Sequence, residues 1–73
     1  MTDNQGNTLA IGDRVQFDSS IGGATVIGTV KGFEGHRAIV HWDTNSNGTP
    51  IERPFTHFES GNPRDLGSIR KLA

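Results

Sequence analysis

Three histidines, His36, His41 and His57, and eight carboxylates are the side chains in this sequence that could hold a metal or move a proton. Their spacing supports neither role. His36 and His41 are five apart on or near one strand, so they point to opposite faces. His57 meets His41 only if the tertiary fold carries it across. No His-x-His and no His-Glu-x-x-His occurs, so the sequence predicts surface histidines and no metal or cofactor. The five serines include none in a Gly-x-Ser-x-Gly elbow, and cysteine is absent, so no nucleophile is marked. Asp13, Asp18, Glu34 and Asp43 fall in turn-like stretches, where carboxylates cap turns or stay solvated. Gly22-Gly23 and Gly28 do not make a phosphate loop, because no Gly-Lys-Ser/Thr follows and no helix opens there. The expectation is a protein that is not an enzyme.

Whatever chemistry exists must be positioned by a very small scaffold. With 73 residues the chain suits one domain, and with 32% apolar residues its core is thin. The lack of cysteine excludes a disulfide-stapled miniprotein and a Cys-ligated zinc. A chain this small has little interior for a deep pocket unless copies assemble. The formal charge is −1, against the basic excess usual in nonspecific polyanion binders. From Arg37 onward there are five basic and four acidic residues, too small a bias to make an anion-binding face. The start, MTDNQGNT, has neither a basic segment nor an apolar run, and the longest apolar run is Ala38-Ile39-Val40. The expectation is therefore a cytoplasmic protein with no signal peptide and no membrane span.

Ten glycines and three prolines cut the chain into short pieces with no sustained helical periodicity. Val15 and Phe17 share one face of a first strand. Ser19–Gly23 reads as a loop, and Ala24–Phe33 as a β-branched second strand bent or bulged at Gly28. Arg37–Asp43 alternates most clearly, with Ala38, Val40 and Trp42 inward. Asn47-Gly48 marks a hairpin loop, and Ile51–Phe55 returns as a strand with Pro54 at an edge or bulge. Phe55 and Phe58, three apart, suit a helical turn better than a strand. A helical turn follows, with Asn62 as cap, Pro63 at its first position and Gly67 ending it; Ser68–Leu72 closes the chain as a last strand. Leu9 and Ile11 are expected to pack on the barrel. The predicted core is Val15, Phe17, Val26, Val30, Ala38, Val40, Trp42, Phe55 and Leu66. Residues 1–5 are expected to be disordered and 6–73 to form the domain.

This order predicts an all-β SH3-like barrel of about five short strands with one helical turn before the last. The wording agrees with it. Leu9-Ala-Ile-Gly-Asp-Arg-Val15, Ile27-Gly-Thr-Val30 and Ala38-Ile-Val-His-Trp-Asp43 together resemble a recurring pattern of bacterial and phage-type SH3-like modules. In those modules a Gly-Asp-x-Val turn opens the first strand and a Val-x-Trp-Asp strand precedes the distal hairpin. Gly12–Val15 also resembles a segment of the type II dihydrofolate reductases, SH3-like chains that act as tetramers around a pore. The region comparable to their Val-Gln-Ile-Tyr stretch is Thr49-Pro-Ile-Glu-Arg53, and this chain has no tyrosine, so that resemblance implies fold without activity.

The functional expectation is a non-enzymatic interaction module that binds a protein partner or self-associates through an exposed strand face. Phe33, Arg37, Ile39, His41 and Arg53 are the predicted binding residues, with Ile27 and Ile39 able to join as one apolar patch on adjacent strands. SH3-like domains that bind polyproline line their groove with tyrosines, so that ligand is not expected. The alternatives are a single-strand nucleic-acid binder, stacking bases on Phe33, Trp42, Phe55 or Phe58, and an oligomeric pore-type enzyme.

Overall fold

The computed structural model describes residues 1–18 and 25–72. Five strands are present: β1 (Arg14–Asp18), β2 (Val26–Glu34), β3 (Arg37–Asn45), β4 (Pro50–Ser60) and β5 (Ser68–Lys71). They form one sheet in the order β1-β2-β3-β4-β5 that closes on itself as a barrel. All neighbours are antiparallel except β4 and β5, which meet in parallel at the single pair Ser60 and Ser68. No described residue is helical. The predicted helical turn at 62–67 is instead a run of turns. Asn62 accepts the Arg64 N–H on Oδ1 at 3.0 Å and the Asp65 N–H on its carbonyl at 3.0 Å, and the chain enters β5 without completing a helical turn. The loop predicted over 19–23 lies outside the described residues. No helix among the described residues is long and apolar enough to cross a membrane.

The inward faces follow the alternation. Val15, Val30, Ala38, Val40 and Trp42 are buried together with Leu9 and Ile69, and Phe17, Val26 and Ile51 pack against them. Leu66 and Phe55, expected in the core, are exposed, and so is Ile11. Ile69 from β5 is buried in the core where Leu66 was expected. Two bends let a sheet this narrow curl. Register slips between Ile27 and Gly28 and again between Val30 and Gly32. At Gly28 a side chain is impossible: a Cβ there would lie 2.4 Å from the His41 carbonyl oxygen and 2.9 Å from the Trp42 ring. Pro54 falls where β4 departs from register, between the pairs Thr44–Pro50 and Trp42–Phe55, so its missing N–H breaks no ladder bond with a paired partner. Gly48 turns the β3–β4 hairpin with φ of 94°.

The N-terminal residues expected to be disordered are packed. Asp3 is buried, and its carboxylate works as a clasp. Oδ1 accepts the Gln5 and Asn7 N–H groups at 2.9 and 2.8 Å, and Oδ2 accepts the Lys71 N–H at 2.6 Å. The Asn4 N–H donates to the Ile69 carbonyl at 2.9 Å. Gly61 admits this segment, since a Cβ there would collide with the Thr2 carbonyl. Asp-Asn-Gln-Gly looks turn-like because half of the clasp is a local turn. The other half reaches β5, which local pattern does not reveal.

Burial pushes the Asp3 carboxyl up, but the bonds from Lys71, Asn7 and Gln5 outweigh it and hold the group below its ordinary value of 3.8. A depressed carboxylate contributes stability that is complete above that value and lost as pH falls through the folded one. Asp3→Asn is expected to cost about 2–3 kcal/mol at neutral pH and to converge with the parent in acid, measured by urea melts across pH. A cost that stays constant into acid argues against the charge. Gly28→Ala is expected to cost about 3 kcal/mol by the same melts, because the obstructing atoms are backbone.

Candidate functional site

The closure is unequal, and the inequality makes a cleft. β1 and β5 share four paired positions, from Val15–Lys71 to Asp18–Ser68, whereas β4 and β5 share one. The inner side of β4 is therefore left partly uncovered. Alternation puts Phe55, His57 and Glu59 on that side, opposite Trp42, Val40 and Ala38 of β3. With Phe17, Val26 and Gly67 they surround an open cavity of about 530 Å³, with Arg37 and Phe58 at its wall. The space lies at the open side of the sheet and not in its interior, where so small a chain was expected to have little room for a deep pocket.

Trp42 forms the floor. It is 1% exposed and meets Phe17 edge to face, with centroids 6.0 Å apart and planes at 86°. Phe55 is 47% exposed and Phe58 45%. Glu59 is 6% exposed, a carboxylate held among these rings. His57, two residues back on the same face and mostly exposed, places Nδ1 2.6 Å from its Oε1. Burial raises the Glu59 carboxyl above its ordinary value of 4.5, with hydrogen bonds from His57 and Trp42 pulling the other way. Among the described residues no other cation lies within ion-pair distance of Glu59.

The predicted binding residues do not form one surface. Arg37, Ile39 and His41 share the outer face of β3, where their partners on β4 are Ser60, Phe58 and Thr56. The His41 Nδ1 lies 3.1 Å from Thr56 Oγ1. Phe33 pairs with Ala38, so it belongs to the other face, at the end of the barrel. Arg53 lies in the part of β4 that leaves register. Ile27 is opposite Thr44 and Ile39 opposite Gly32, too far apart along β3 to join as one patch. His57 and His41 lie on opposite faces of the sheet. No cluster of three or more metal-ligating side chains occurs among the described residues.

Sequence reasoning did not bring Phe55, His57 and Glu59 together on one face, for one reason. The three-residue spacing of Phe55 and Phe58 suggested a helical turn, but β4 runs unbroken to Ser60 because β3 offers it a full ladder. The usable signal was Phe-x-His-x-Glu, which in a strand puts an aromatic ring, an imidazole and a carboxylate on one face.

A carboxyl raised in the folded state costs stability once ionised: the penalty is absent below about 4.5 and grows as pH rises through the folded value. Glu59→Gln is accordingly expected to melt at a higher temperature than the parent at neutral pH and to lose that advantage near pH ~4. A Gln variant that melts lower at neutral pH shows that the bond to His57 outweighs the buried charge.

No curated protein matches this chain. No solved structure matches it. A family model matches residues 1–64, which span the N-terminal clasp, the first four strands and the cleft-lining residues of β4, and on that match the chain belongs to the family described as Domain of unknown function (DUF7205).

Proposed function

We propose that this protein is a non-enzymatic interaction module of the SH3-like barrel type that captures an extended polypeptide segment along β4. One observation carries this reading. β4 is the longest strand, eleven residues, and among the described residues its side away from β3 is paired only at Ser60. An unpaired strand edge presents a row of N–H and C=O groups, and an extended segment that adds there gains main-chain hydrogen bonds for affinity. Half-exposed Phe55 and Phe58 and the adjoining cleft supply side-chain recognition beside that edge. Arg37 is the cation among the residues that line this cleft. The SH3-like assignment is supported by the strand order, the bent second strand and the tight β3–β4 hairpin.

The nucleic-acid reading has less support. Arg14, Arg70 and Lys71 are engaged with Asp43, Asp18 and Asp13 at 3.2, 3.0 and 3.6 Å. That leaves few cations for phosphates around the exposed phenylalanines.

A display library of random nine-residue segments, panned against the protein, is expected to yield binders that slow amide hydrogen exchange across 51–59. Panning that yields no binder, or binders that leave those amides unchanged, overturns the reading. Salt-sensitive binding of a single-stranded oligonucleotide that protects the same amides overturns it in favour of nucleic acid.

A further inference from the structure

We infer that the cleft beside β4 takes a lysine side chain of the captured segment, its ammonium at the Glu59 carboxylate and its alkyl stem against Phe17, Phe55 and Trp42. The inference rests on the strand-capture reading and names the side chain that reading leaves open. Three features of the cleft point the same way. First, the wall is apolar and aromatic: Phe17, Val26, Trp42 and Phe55 face the cavity, a surface that suits a methylene stem better than a polar one. Second, an anion stands among them. Glu59 is nearly buried, yet it borders the cavity, and a carboxylate has room for about four hydrogen bonds. His57 and Trp42 account for its side-chain partners, so acceptor capacity remains. Third, the cation that should balance a buried carboxylate is missing from its immediate shell. The exposed His57 imidazole is its sole ion-pair contact among the described residues, and Arg37 acts on it only from the cleft wall.

A buried charge whose one close ion-pair partner is an exposed imidazole remains costly, and a ligand that brings a full counter-charge recovers that cost on binding. The aromatic rings add to this, since an ammonium is attracted to ring faces as well as to the carboxylate. A neutral stem of the same shape would fill the cavity and leave Glu59 as it was. An acidic side chain would bring a second negative charge against it. The compact ammonium on a flexible four-carbon stem matches a cleft lined by rings with one carboxylate among them.

Trp42 is the only tryptophan of the chain, so its fluorescence and its indole N–H resonance report on the cleft directly. The probes are the N-acetyl methylamides of lysine, norleucine and glutamate, titrated while both signals are followed. The lysine compound is expected to bind at least about tenfold more tightly than the norleucine compound, with the glutamate compound weakest. Glu59→Gln is expected to erase the difference between lysine and norleucine, and Phe55→Ala to weaken both, Phe55 being exposed enough for its loss to leave the fold intact. A preference under tenfold, or one that survives in Glu59→Gln, overturns the inference. Segments recovered from the library separate the two readings. Binders that protect 51–59 without favouring lysine leave strand capture standing and overturn the lysine site, whereas a library with no binders overturns strand capture itself.

Discussion

The structure turns on how Trp42 is seated. Its ring is the largest buried group, and three elements are shaped around it. Gly28 lets β2 approach it with no side chain in between. Phe17 of β1 meets it edge-on. Phe55 of β4 pairs with it across the ladder. A thin core depends heavily on one large aromatic, because deleting such a ring costs about 3–5 kcal/mol, a large share of the stability of a small domain. The same ring is the floor of the cleft. Core packing and the cleft therefore rest on one side chain, which links the stability of the domain to the shape of that cleft.

The remaining problem for so short a chain is closure. The sheet of β1 to β4 leaves two edges, and β5 covers them unequally. It pairs fully with β1, and the N-terminal segment locks it from behind through the Asp3 clasp to Lys71 and the Asn4 bond to Ile69. Polar and charged groups thus do work that a larger protein would leave to apolar burial. Two ion pairs, Arg70 with Asp18 and Lys71 with Asp13, reinforce this β1–β5 seam, and a third, Arg14 with Asp43, ties β1 to β3. Exposed pairs like these each add little.

The opposite seam is left open. Between β4 and β5 a single pair closes the ring, and the inner side of β4 faces a cavity instead of a partner strand. The two buried carboxylates, Asp3 in the clasp and Glu59 at the cleft, behave in opposite ways. Hydrogen-bond donors hold the Asp3 carboxyl down, whereas burial raises that of Glu59 despite its bonds from His57 and Trp42. The first arrangement stabilises the fold. The second costs stability by keeping a charge in an apolar place.

Much of this was legible in the sequence. The alternation in Arg37–Asp43, the glycine bend at 28, the Asn47-Gly48 hairpin and the displacement of Pro54 each follow from local chemistry: side-chain period, absence of a Cβ, positive φ and a missing N–H. The all-β class and most of the core follow from the same rules. Of the predicted binding residues, Arg37, Ile39 and His41 share a face, as a period of two requires, but Phe33 does not join them, because an extra residue between Val30 and Gly32 reverses the faces beyond it. The sequence by itself determined which stretches are extended and which residues point inward, since both are properties of a few neighbouring residues. Only the tertiary structure decided that Asp3 clasps Lys71, that β4 continues through Phe58, and that Glu59 stands buried beside Trp42. Each of those depends on a contact between segments far apart in the chain, where cross-strand pairing and burial outweigh local preference.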